Sequence, residues 1–127
     1  MIGYVTLGTK DLNRAAEFYD ALLSELGCGR FMEDPGKFIA WANPANPKGA
    51  GLGITYPFNG EAMTVGNGVM VALEAKDTDT VDKVYHMALE LGGTCEGKPG
   101  ERFPGFYAGY FRDLDGNKLN VFIMTQA

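Results

Sequence analysis

The stretch YVTLGTKD, residues 4–11, recurs 66 residues later as MVALEAKD, residues 70–77. Val5 and Val71, Leu7 and Leu73, Lys10 and Lys76, and Asp11 and Asp77 are identical across that offset. Further along, so are Tyr19 and Tyr85, and Leu23 and Leu89. After a slip of one residue, Leu26-Gly27 matches Leu91-Gly92. Identities gathered at one spacing read as a tandem duplication, so the fold follows from what one copy does.

Each copy opens on a Val/Leu-rich run, residues 4–9 and 69–75, that ends at a polar break, as a strand does. A helix follows. Asp11 is a credible N-cap, because its carboxylate can accept from the orphan N–H groups of the first turn. Leu12, Ala15, Tyr19, Leu22 and Leu26 recur at three and four residues and make one apolar stripe, and Gly27 supplies the left-handed stop. Val81, Val84, Tyr85, Ala88 and Leu91 repeat the stripe, and Gly92 repeats the stop. The rest of each copy reads as strands. FIAWA (38–42) resembles FYAGY (106–110), and LGITY (52–56) resembles LNVFI (119–123). Shorter strands at 29–33 and 94–98 complete β-α-β-β-β per copy. The Pro- and Gly-rich run between the copies is a connector, and residues 43–49 are a surface loop.

The 127 residues suffice for one domain that buries roughly two-thirds of its unfolded surface. At 46% hydrophobic and 21% charged the chain is ordinary globular material. No apolar run reaches the roughly 18 residues of a membrane helix, and the N-terminus lacks the basic-then-apolar pattern of a secretory signal. The expectation is a cytoplasmic protein. A net charge of −5 argues against a nucleic-acid partner, which needs a Lys/Arg surface. Cys28 and Cys95 form no CxxC and read as buried thiols.

The order of these motifs resembles the vicinal oxygen chelate superfamily, which includes glyoxalase I, bleomycin-resistance proteins, fosfomycin-resistance enzymes and extradiol dioxygenases. The resemblance is carried by VTLGTKDL (5–12), EFY (17–19), GVMVAL (68–73) and YFRDLDGNKL (110–119), the last close to the family's D-P-D-G-N hairpin with Leu114 in the proline place. It spans nearly the whole chain. It implies an α+β protein, a single domain over 1–127 built of two tandem βαβββ modules (1–58 and 68–127, with a connector at 59–67). Their strands would form a curled, cup-shaped mixed sheet with the helices outside. In metal-using relatives a divalent ion sits at the cup floor, held by His, Glu or Gln from the first and last strands of each module.

In this sequence those positions fall on Tyr4, Gly53, Met70 and Asn120, and the duplication pairs Tyr4 with Met70 and Gly53 with Asn120. None suits zinc, nickel, iron or manganese. Met is soft, Asn offers one neutral carbonyl, and Tyr would have to lose a proton of pKa about 10. Glu74 shares Met70's strand parity but is a single carboxylate, and the chain's one His excludes a two-His site. No metal and no cofactor is therefore expected. With the metal-site face inward, Tyr4, Thr55, Met70, Asn120 and Phe122 line the cup. A mostly apolar wall with a few polar handles is the composition of a small-molecule site. It is equally that of a filled core.

His86 sits beside the apolar stripe of the second helix and reads as a flank histidine. Cys28 lies at the wrong end of a helix for a reactive thiolate. Glu101 and Arg102 fall in a predicted loop, PGERFPG (99–105), where Arg102 can grip a ligand carboxylate with its two-pronged donors. Asp113 and Asp115 are turn residues. An EF-hand loop beginning at Asp113 needs Gly at its sixth place and Glu at its twelfth, and finds Lys118 and Met124.

The expected function is that of a metal-free member resembling the bleomycin-resistance branch, pairing as a homodimer and holding a small organic molecule. Tyr4 and Asn120 would hydrogen-bond it, and Met70, Trp41 and Phe122 would supply apolar contact. Two alternatives stand beside it: a lactoylglutathione lyase-like or dioxygenase activity, and a non-catalytic interaction protein with a filled cup.

Overall fold

A computed structural model describes residues 1–125. It divides into two compact units, the first Met1–Val65 and the second from Gly66 onward. The first holds β1 (Tyr4–Gly8), α1 (Leu12–Ser24), β2 (Gly29–Asp34), β3 (Phe38–Ala42) and β4 (Gly51–Thr55). The second holds β5 (Val71–Glu74), α2 (Thr78–Glu90), β6 (Thr94–Phe103), β7 (Phe106–Arg112) and β8 (Lys118–Met124). Each is a βαβββ module, and the eight strands lie in two separate four-stranded mixed sheets, β1-β4-β3-β2 and β5-β8-β7-β6. In both, the first strand pairs parallel to the last and the remaining pairs are antiparallel. Among the described residues no helix is long and apolar enough to cross a membrane.

The helix signals act as their chemistry requires. The Asp11 side chain accepts from the Arg14 N–H at 3.2 Å, and Asp77 accepts from the Thr80 N–H at 2.8 Å and its hydroxyl at 2.6 Å. Each helix closes through the same pair of bonds. Cys28 N–H reaches Leu23 O and Gly27 N–H reaches Ser24 O, while Gly93 N–H reaches Ala88 O and Gly92 N–H reaches Leu89 O. That closure needs a left-handed residue, and Gly27 and Gly92 supply it at φ 78° and 106°. The first stripe ends with Leu22 and Leu23; Leu26 lies beyond the helix, half-buried within the cap.

Pairing register sorts the two faces of each sheet. Tyr19 of α1 packs its ring 5.8 Å from Trp41, so Ile39, Trp41, Leu52, Ile54 and Leu7 face the helix. Tyr85 of α2 lies against Gly109, so Leu73, Leu119, Val121, Gly109 and Phe111 face theirs. These residues form the two cores. Register also corrects one alignment within the repeat. Trp41 stands opposite Leu52 as Phe111 stands opposite Leu119, so β3 matches β7 two residues later than FIAWA against FYAGY suggests. The five residues between β7 and β8 are fewer than the eight between β3 and β4, and strand composition alone does not reveal that difference.

The connector is not a free linker at its middle. Met63 is buried, with its side chain against Gly8; a methyl group on Gly8 would lie 2.8 Å from the Met63 Cβ.

Candidate functional site

Tyr4, Gly53 and Asn120 lie on the sheet faces turned away from the helices, and Met70 falls just before its strand. In the first module Tyr4 opens β1 and is largely exposed, while Gly53 is the cross-strand partner of Thr6. The space a side chain at Gly53 would need is already taken: a Cβ there would lie 2.6 Å from Cε2 of Phe38. In the second module Met70 precedes β5 and is exposed, and Asn120 is the partner of Ala72. Asn120 is 2% exposed, and its Oδ1 has no hydrogen-bond partner among the described residues. Thr55 and Phe122 are half-buried on the same two faces, and Glu74, opposite Phe122, is exposed. Among the described residues no three of His, Cys, Asp and Glu come together as a metal-holding group. A phenol, a glycine, a thioether and a neutral amide do not fit a divalent ion of the zinc or iron kind, which takes imidazole and carboxylate.

The face around Asn120 is aromatic and cationic. Phe103 stacks on Phe106 with centroids 4.9 Å apart and planes at 6°, and Phe106 stacks on Phe122 at 5.6 Å and 29°. Tyr110, directly opposite Asn120, has the Arg102 guanidinium 5.3 Å and the Lys118 ammonium 5.8 Å from its ring centroid. Arg102 reaches this place because it does not lie in a loop. All of the predicted loop but the turn at Pro104-Gly105 is the second half of β6, and Arg102 is the extra residue of a bulge between Glu101 and Phe103. Its side chain lies back along the strand over Gly97 and Gly100, whose added Cβ atoms would come within 3.2 and 3.1 Å of it. Its Nη1 and Nη2 donate to the carbonyls of Gly100 (3.1 Å) and Lys98 (2.6 Å).

Trp41 is the expected contact residue that the geometry removes. It lies under α1 at 1% exposure, and its indole N–H donates to Asp20 Oδ1 at 2.8 Å. Arg30 also grips Asp20 with two bonds of 2.9 and 2.7 Å, and together these hold the Asp20 carboxyl below its ordinary range. Alternation along FIAWA puts Trp41 on the face opposite Phe38 and Ala40, and only the helix contact says which face is which.

The remaining candidates are structural. Asp113 is buried and accepts from the Asp115 and Asn117 N–H groups at 2.9 Å and from the Asn117 amide at 3.0 Å; Gly116 takes the positive φ of that turn. Burial raises the Cys28 thiol, which opposes thiolate formation. His86 is exposed, with its Nδ1 directed at the Asp82 carbonyl at 2.8 Å. It borders a cleft of about 430 Å³ on the helix side of the second module, along with Asp82, Lys98 and Tyr107. There the Tyr107 hydroxyl donates to Asp82 at 2.6 Å, and that bond raises the tyrosine's pKa.

A duplicated βαβββ protein with an orphaned amide on its last strand belongs to a class that the family comparison makes specific. The family described as Glyoxalase/Bleomycin resistance protein/Dioxygenase superfamily matches residues 1–121, and the chain belongs to it. A crystal structure of a glyoxalase/bleomycin resistance protein from Albidiferax ferrireducens shares 36% identity and a TM-score of 0.86, covering 96% of this chain and 97% of that one. A lactoylglutathione lyase from Agrobacterium tumefaciens is similar in fold at 24% identity and TM-score 0.66, covering 96% and 92%. A glyoxalase/bleomycin resistance protein/dioxygenase family enzyme from Burkholderia phytofirmans has TM-score 0.76 at 18% identity, covering 96% and 97%. Among curated proteins nothing matches.

Proposed function

We propose that this protein binds a small organic molecule without a divalent metal, on the second module's sheet face turned away from α2. The observation that carries this reading is Asn120. A buried amide oxygen left without a donor costs roughly 1–3 kcal/mol, and Asn120 leaves one unpaired in the middle of a strand otherwise packed with Leu119 and Val121. A ligand N–H or O–H would satisfy it. In metal-using relatives this strand position carries a ligand; here the amide is a hydrogen-bond handle. The first module supports the same reading, since Phe38 occupies the room that a carboxylate side chain at Gly53 would need. Tyr4, Thr55 and Met70 are proposed as further contacts, and a homodimer as the working form.

The test is a thermal-shift screen of chemically varied small molecules against wild type and Asn120→Leu. A ligand stabilises the folded state as RT ln(1 + [L]/Kd). Expected is a ligand whose shift disappears in Asn120→Leu. Turnover of a hemithioacetal or catechol on adding metal would replace this reading with the lyase or dioxygenase one. Silence across the screen would leave an interaction protein.

A further inference from the structure

We infer that the ligand of this face is a flat aromatic acid carrying a hydrogen-bond donor. This rests on the small-molecule reading above and names the chemistry. Three groups of the second module, each pointing to a different part of such a ligand, lie on one sheet face.

The first is the aromatic ladder. Phe103, Phe106 and Phe122 are stacked, Phe103 is 54% exposed, and the other two are half-exposed. The outer ring face at an end of this stack, such as that of Phe122, offers offset stacking to a flat ring and little to a puckered one.

The second is an uncompensated cation. Arg102 uses its bonds on two backbone carbonyls and makes no ion pair with a carboxylate among the described residues. A guanidinium has five N–H donors, so donors remain for an oxyanion. The nearby Arg112 is different, because Glu96 answers its charge. Arg102 is also held in place. The bulge puts it on this face, the bare backbones of Gly97 and Gly100 give it room, and the Tyr110 ring lies beneath it.

The third is the Asn120 oxygen, on the strand row next to Phe122 and opposite Tyr110. Two residues along one strand face is about 7 Å, the length of a substituted benzene ring. Its burial calls for a slim donor, such as a hydroxyl at the edge of a flat ring. Row by row, Phe122 is followed across the sheet by Ala108 and Gly100, and Asn120 by Tyr110 and Gly97. Small residues thus lie between the ring stack and Arg102. The ring would lie over Ala108, beside Phe122 and between Asn120 and the Arg102 guanidinium, its acid group turned to Arg102 and its donor, at the opposite edge, to Asn120.

The probe is 4-hydroxybenzoate, titrated calorimetrically into the full chain. Beside it run 4-hydroxybenzamide (no charge), benzoate (no donor) and trans-4-hydroxycyclohexanecarboxylate (not flat). Expected is tightest binding of 4-hydroxybenzoate, with each comparison compound weaker by roughly tenfold, the scale of one charge-assisted bond or one stacked ring. Arg102→Met should erase the preference for acid over amide and leave amide affinity in place. Asn120→Leu should erase the preference for 4-hydroxybenzoate over benzoate. Circular dichroism and the denaturation midpoint verify that both variants are folded. Equal binding of the four compounds, or a preference for acid over amide that survives in Arg102→Met, would overturn the assignment. A sugar, nucleoside or aliphatic acid that binds through Asn120 while aromatic acids do not would overturn the ligand class and leave small-molecule binding standing. No binding by any compound would overturn both.

Discussion

Replacing Asn120 by leucine should make the protein more stable while removing its ligand handle. The two side chains are nearly the same shape, so the exchange opens no cavity and forces no overpacking. What changes is the orphaned oxygen. Asn120 is 2% exposed and its Oδ1 has no partner among the described residues. An unsatisfied buried acceptor costs roughly 1–3 kcal/mol, and burying an apolar group there adds to the gain. Asn120→Leu should therefore gain about 1–2 kcal/mol. For a chain of this size that corresponds to a rise in Tm of about 3–8 °C. The assay is urea denaturation, with a higher midpoint at unchanged slope as the expected result. A variant less stable than wild type by about 1 kcal/mol or more would show that the amide has a structural role, and the functional reading of Asn120 would fall with it.

Gly53→Glu should destabilise by about 1–3 kcal/mol, because its Cβ would meet Phe38 at 2.6 Å; pairing it with Phe38→Ala should recover part of the loss in the denaturation midpoint. Gly92→Ala should cost more than Gly27→Ala. Both force an alanine into a left-handed conformation, at roughly 1–2 kcal/mol, but only at Gly92 does the new methyl also meet a Leu114 side-chain carbon, at 3.0 Å. The stability contributed by Asp20 should be fully present above about pH 4 and lost as pH falls through its lowered folded value, since its bonds to Arg30 and Trp41 favour the charged form. Asp20→Asn should flatten that acid limb, as read by fluorescence of the chain's single tryptophan.

Much of the fold was legible because its signals are local. Asp11 and Asp77 cap, Gly27 and Gly92 stop, and the stripes between them are helical, so the duplicated strand-helix units stand out in one reading. The turn at Asp113–Asn117 was legible for the same reason. The site was less so, because face and register are not local properties. Trp41 and Phe38 alternate on one strand, and nothing in FIAWA says which of them the helix will cover. Arg102 was expected in a loop because its Pro and Gly neighbours mark loops; the same residues permit the bulges of an edge strand, which aim it at Tyr110. Lys118 had no signal at all, since its part comes only from standing near Tyr110 across the β7–β8 hairpin.

The most direct test of the metal-free reading is elemental analysis of the full chain, purified without chelator and dialysed against metal-free buffer. Expected is divalent metal far below one equivalent per chain. One equivalent of zinc, nickel, iron or manganese retained through dialysis would contradict it.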